Sequence, residues 1–150
     1  MPRIMERLFT VEQAEGLIGA LEGDLRRALN LKTEYEALDE EAREWLRRVS
    51  MAGGSRVDHT EILASRARMA EALARLKVVI DGIQEHGCLV KDLDKGLIDF
   101  PAMFRGERVL LCWKLGETGI EFWHGVEEGF GGRKPIDAEF LKKHRGGATH

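Results

Sequence analysis

The chain has little of what small secreted proteins and nucleic-acid binders are built from. Its only two cysteines, Cys88 and Cys112, stand 24 positions apart, with no second cysteine or histidine at metal-finger spacing. That excludes a disulfide framework and a zinc knuckle and reads as two buried thiols. Positive charge is not in excess: 23 Lys and Arg face 26 Asp and Glu, a net charge of −3 with both signs interleaved. A binder of the nucleic-acid backbone needs a dense cationic footprint, so no nucleic-acid partner is expected. No apolar run approaches the roughly 18 residues of a membrane span, and MPRIMERLFT carries no signal-peptide core. A cytoplasmic protein with no membrane partner is the expectation. A nucleophile motif is lacking as well. Ser50, Ser55 and Ser65 fall in the predicted hairpin loop or on the second helix, and neither cysteine is read as having a local histidine partner, so covalent catalysis has no support.

What the chain does have is helical periodicity, then a change of period. Thr10 followed by Gln13 forms a capping box. From there Ala14, Leu21, Ala28, Tyr35, Ala42 and Val49 repeat at seven-residue intervals, and Leu17, Leu31, Leu38 and Trp45 fill the position three further on, with Asp24 the exception. Ile18, Leu25 and Leu46 widen the stripe. One helix of about 40 residues, roughly 60 Å long, is predicted. Gly53-Gly54-Ser55 permits reversal, Asp58 with Glu61 repeats the capping logic, and Ile62, Met69, Leu76 and Ile83 carry a second helix to a stop at His86-Gly87. The two helices are expected to be antiparallel, coiled-coil-like neighbours. Their apolar stripe is wider than one seam can hide, which predicts a homodimer through the hairpins with Tyr35, Leu38 and Ala42 near the contact.

Beyond Gly87 the period falls to two, and seven of the ten aromatic residues lie there. Strands are predicted near 88–93, 97–100, 108–115 and 120–124. A four-residue turn, Gly116 to Gly119, would register the last hairpin with Lys114 opposite Glu121, Trp113 opposite Phe122 and Leu111 opposite His124. Val126 to Pro135 is a Gly-rich loop, Asp137 caps a short helix with Phe140 and Leu141, and a polar tail follows. The fold class is therefore α+β: a helical hairpin over 1–87, then a small antiparallel β lobe over 88–150 belonging to the same folding unit.

The wording of that lobe is distinctive: KDLDKGLIDFPA at 91–102, VLLCWKLGE at 109–117, Trp123-His124 and GFGGRKP at 129–135, behind a hairpin opened by LFTVEQA. With these motifs the chain resembles a small bacterial family, domain of unknown function 2203, over nearly its whole length. The resemblance implies no activity, ligand or catalytic residue.

The densest polar cluster is Asp92, Asp94, Asp99, Glu117 and His124, all in or beside the predicted sheet. Carboxylates and an imidazole are ligand types for a divalent metal, or an acid/base pair. Asp92, Asp94, Asp99 and His124 are the candidate metal ligands, and Asp99, His124 and Glu117 the candidate catalytic groups. The ordinary alternatives are turn carboxylates bonding their own backbone and a histidine satisfied in the core. Arg133, in the Gly-rich loop, is a candidate contact for a small anionic ligand, although the loop lacks P-loop or dinucleotide spacing. Two function classes follow. The leading expectation is a non-enzymatic interaction or scaffold protein that self-associates through its hairpin. The alternative is a ligand-binding or metal-dependent hydrolytic protein that uses the carboxylates and His124 with a divalent metal as cofactor.

Overall fold

The structure is a computed structural model and describes residues 6–53 and 59–148. The chain forms two compact units, one of residues up to Leu25 and from Ile80 onward, the other Arg26–Val79. The architecture is α+β, as the change of period predicts.

Thr10 caps α1 (Val11–Glu15) reciprocally: its hydroxyl accepts from Gln13 N–H at 3.2 Å, and the Gln13 amide oxygen accepts from Thr10 N–H at 2.9 Å. The expected unbroken helix then divides. Gly16 N–H reaches the Glu12 carbonyl at 3.1 Å, but Leu17 N–H bonds Ala14 only three residues back, at 3.0 Å, before α2 (Ile18–Met51) resumes. A lone glycine, weak in helix interiors, is where the tightened turn forms. α2 packs on α3 (His59–Gln84). Leu21, Leu25, Ala28, Ala72, Leu76 and Ile83 of these helices are buried, whereas Tyr35, Leu38, Ala42, Trp45 and Val49 are only half-buried. α3 gives way to Gly87 at φ 100°, where an added Cβ would stand 2.9 Å from Arg7 Cβ, so both conformation and space demand glycine. The cap predicted at Asp58 lies outside the described residues. Among those residues no helix is long and apolar enough to cross a membrane.

β1 (Arg7–Leu8) pairs antiparallel with β8 (Gly147–Ala148), and the main sheet runs β2 (Leu89–Asp92), β3 (Leu97–Phe104), β4 (Glu107–Lys114), β5 (Phe122–Gly125) and β6 (Lys134–Pro135), each antiparallel to the next. α4 (Ala138–Lys143), capped by Asp137 as predicted, leads to β7 (His144–Arg145), which pairs with the end of β3. β3 and β4 are joined by Arg105-Gly106, both at positive φ (52° and 77°), the conformation of a two-residue hairpin turn. Strand β3 runs through Pro101, four residues past the predicted end. Counting outward from the turn makes Pro101 and Leu110 a non-hydrogen-bonded pair, so the missing N–H faces away from β4. On that far side the Pro101 carbonyl accepts from Phe9 N–H at 2.7 Å.

The β4–β5 register differs from the predicted one by one residue: Leu110 opposes His124, Leu111 opposes Trp123 and Cys112 opposes Phe122. The connection is not a four-residue turn. Leu115 N–H bonds the Gly96 carbonyl at 2.8 Å and Ile120 N–H bonds the Glu15 carboxylate at 3.4 Å, which draws residues 115–121 out of the hairpin. Lys114 lies beyond the last β4–β5 pair, Cys112 with Phe122, so it does not pair with Glu121; on its other side it opposes Leu97, with its ammonium 5.3 Å from the Phe130 ring centre. The slip moves side chains between faces. One face now carries Ile98, Phe100, Leu111, Trp113 and Trp123, and aromatic packing covers it: Phe9 lies 5.3 Å from Phe100, and Phe140 lies 5.1 Å from Trp123. The other carries Asp99, Cys112, Phe122 and His124.

Candidate metal centre

Three neighbouring strands each bring one potential metal ligand to that second face. Asp99 of β3 lies directly opposite Cys112 of β4, and parity from the Arg105-Gly106 turn makes theirs a non-hydrogen-bonded pair, the kind with the closest side chains. His124 of β5 lies on the diagonal, opposite Leu110. One ligand atom from each of Asp99, Cys112 and His124 lies within 4.8 Å of the other two. Asp99 is 2% exposed, His124 3% and Cys112 1%.

The hydrogen bonds fix the chemistry of the imidazole. His124 Nδ1 is 2.8 Å from the carbonyl oxygen of Gly125, which can only accept, so Nδ1 carries a proton. Nε2 then faces Asp99 Oδ2 at 3.1 Å. A ring nitrogen aimed at a carboxylate oxygen needs a shared proton between them or a cation in its place. Nδ1–H on a backbone carbonyl with Nε2 directed at the other donors is the orientation used by metal-bound histidines. Burial pushes the Cys112 thiol up to about 12, the Asp99 charge adding to the rise and the Arg133 charge opposing it. Without a metal the thiol is a proton donor; a divalent cation would displace that proton. Tetrahedral coordination at about 2.3 Å for sulfur and 2.0–2.2 Å for nitrogen and oxygen sets donors roughly 3.3–3.8 Å apart, within about an ångström of the arrangement here.

The other expected site residues are distributed around this trio. Asp92 lines the cleft above it, and its Oδ1 accepts from Lys95 N–H at 3.0 Å, an ordinary turn cap. Asp94 lies in the turn between β2 and β3. Glu117 and Arg133 form a separate pair: one guanidinium nitrogen lies 2.7 and 2.9 Å from the two carboxylate oxygens, and also donates to the Cys112 carbonyl at 3.2 Å. The Arg133 guanidinium sits 4.1 Å from the Phe122 ring centre and 4.7 Å from that of Phe130, while its Nε is buried without a partner. Arg133 thus braces the Cys112 backbone and does not line the cleft with His124.

A family model described as "Uncharacterized conserved protein (DUF2203)" matches residues 7–136. The chain belongs to this family. No curated protein and no solved structure matches it. The DUF2203 match spans both helices and every strand that supplies Asp99, Cys112 and His124, so the trio lies inside the family's domain. Cys112 is the one member of the trio that composition alone does not flag, because VLLCW reads as a core strand. A signal for it exists in the hairpin turn: five residues outward from Phe104 and Glu107 stand Asp99 and Cys112.

Proposed function

We propose that this protein binds a divalent transition-metal ion at Asp99, Cys112 and His124, with a remaining coordination position open to the cleft. The reading is carried by the His124 hydrogen bonds, with Nδ1 committed to Gly125 and Nε2 turned to a buried carboxylate and thiol. A nitrogen, oxygen and sulfur set favours zinc-type ions over magnesium or calcium, which take oxygen ligands. Three protein ligands with an open position match catalytic rather than closed structural zinc sites, and the chemistry such an ion supplies is an acidified water for hydrolysis. The test is cobalt titration of metal-stripped protein. A thiolate-to-cobalt charge-transfer band should appear at one equivalent and be lost in Cys112→Ser, and His124→Ala should weaken cobalt binding at least tenfold. A wild-type protein that gives no band, or a band that survives both substitutions, overturns the reading.

Self-association through the hairpin, as a scaffold would use it, is a second reading favoured by one observation. Within Arg26–Val79, Leu46, Leu63, Leu73 and Val78 are 50–70% exposed, and the Tyr35 to Val49 seam is only half-buried. A second copy would cover such apolar surface. Light scattering at micromolar concentration should give twice the 16.9 kDa chain mass, and a monomer mass with no concentration dependence ends this reading.

A further inference from the structure

The cleft over the trio has a volume of about 260 Å³, below the roughly 300–1,000 Å³ of drug-sized pockets, so it has room only for a small molecule. Its walls differ in character. On one side Lys91 and Lys95 stand exposed at the rim. The nearby carboxylates are engaged by the protein: Asp92 caps Lys95 N–H, and Glu128 takes Gly125 N–H at 2.8 Å and the Lys134 ammonium at 2.5 Å. On the other side are Val126, 47% exposed, and Phe130, 40% exposed. Among the described residues of this compact unit, the exposed large hydrophobic side chains are these two and Leu141, so two of the three flank one cleft. Phe130 is held in place by its neighbours. Its ring is faced by the Arg133 guanidinium at 4.7 Å and the Lys114 ammonium at 5.3 Å, and Gly132 N–H closes its turn on the Gly129 carbonyl at 2.9 Å.

We infer that this cleft takes a small organic monocarboxylate with an apolar body, the carboxylate directed to the metal position and the lysine rim, the body lying against Val126 and Phe130. The inference rests on the metal reading above. A cation at the floor and ammonium groups at the rim select an anion, while the apolar wall selects against inorganic anions and acids without a hydrocarbon body.

The probes are benzoate, acetate and inorganic phosphate, titrated into the cobalt-loaded full chain and followed by the visible d–d bands and by calorimetry. Benzoate should perturb the bands and bind about tenfold more tightly than acetate, the ratio expected from partial burial of one phenyl ring. Phe130→Ala and, independently, Val126→Ser should reduce that ratio to below threefold while the thiolate-to-cobalt band stays as in wild type. Lys91→Gln with Lys95→Gln should weaken benzoate and acetate alike. Equal affinity for benzoate and acetate, or tighter binding of phosphate than of benzoate, overturns the inference. So does a cobalt protein whose bands respond to none of the three anions, and in that case the metal site itself stands. A protein with no cobalt band removes the metal reading and this inference together.

Discussion

Replacing Asp99 with asparagine separates a metal ligand from a structural ion pair, because the two roles predict opposite outcomes in the metal-free protein. Asp99 and His124 are 2% and 3% exposed and 3.1 Å apart. If the folded state depended on a buried carboxylate–imidazolium pair, removing one charge would cost about 3–5 kcal/mol. The geometry supports a different outcome. With His124 Nδ1–H given to Gly125, the new amide can donate to Nε2 and its oxygen can accept from the Cys112 thiol, so every group in the trio keeps a neutral partner. Asp99→Asn should therefore lie within about 1 kcal/mol of wild type in EDTA. In zinc at a hundred times the dissociation constant, wild type should gain about 2.7 kcal/mol. For a domain of this size that is roughly 5–10 °C of melting temperature. The variant has lost one of three ligands and should gain little. Thermal and urea melts followed by circular dichroism, in EDTA and in zinc, read both arms. A loss of 3 kcal/mol or more in EDTA would mean the pair is structural, and an equal zinc shift in both proteins would mean zinc binds elsewhere.

Gly146→Ala should destabilise by about 1–3 kcal/mol in urea melts, because the added Cβ would stand 2.5 Å from Thr10 N and 2.7 Å from the Phe9 carbonyl carbon, atoms of the backbone that cannot swing aside. His144→Ala should cost about 1–3 kcal/mol, since His144 Nε2 accepts from Val11 N–H at 3.1 Å and the ring stacks on Phe140 at 5.2 Å; an unchanged urea midpoint would refute this role. Burial pushes the Cys88 thiol up to about 11, so between the unfolded value of about 8.5 and that figure the folded state holds a proton the unfolded state has lost, and stability should fall as pH rises. At pH 10 in EDTA this is about 2 kcal/mol from Cys88, and Cys88→Ala should make the loss between pH 7.5 and 10 smaller by that amount.

The features legible in the sequence were those decided within a few residues of chain. The Thr10–Gln13 box, the Asp137 cap, the positive φ at Gly87 and the helical rows from Leu21 to Ala28 are each set by local chemistry or periodicity. Asp99 and His124 stood out as candidates because a carboxylate and an imidazole are ligand types for a divalent metal or an acid/base pair. The β4–β5 register was not legible. It depends on Leu115 bonding Gly96 and on Ile120 bonding Glu15, contacts from distant parts of the chain that turn composition does not encode. Because side chains alternate across a strand, that single residue of slip sent His124 from the aromatic core face to the face of Cys112.

The β3–β4 hairpin carried more information than its apolar composition suggests, and Pro101 is the reason. A proline within a strand can face a partner only where no N–H is required, which restricts Pro101 to a non-hydrogen-bonded pair with β4. Arg105-Gly106 meets that condition as a two-residue turn, since it makes Phe104 and Glu107 a hydrogen-bonded pair and Pro101 and Leu110 a non-hydrogen-bonded one. The same parity recurs two residues further on, so Asp99 and Cys112 must also form a non-hydrogen-bonded pair, with their side chains brought close on one face. A turn one residue longer would shift the register and set Asp99 beside a different partner. The residue that looks like a strand breaker is therefore compatible with the pairing that the two-residue turn sets, a pairing that joins a carboxylate to a thiol, and His124 completes the trio from the next strand.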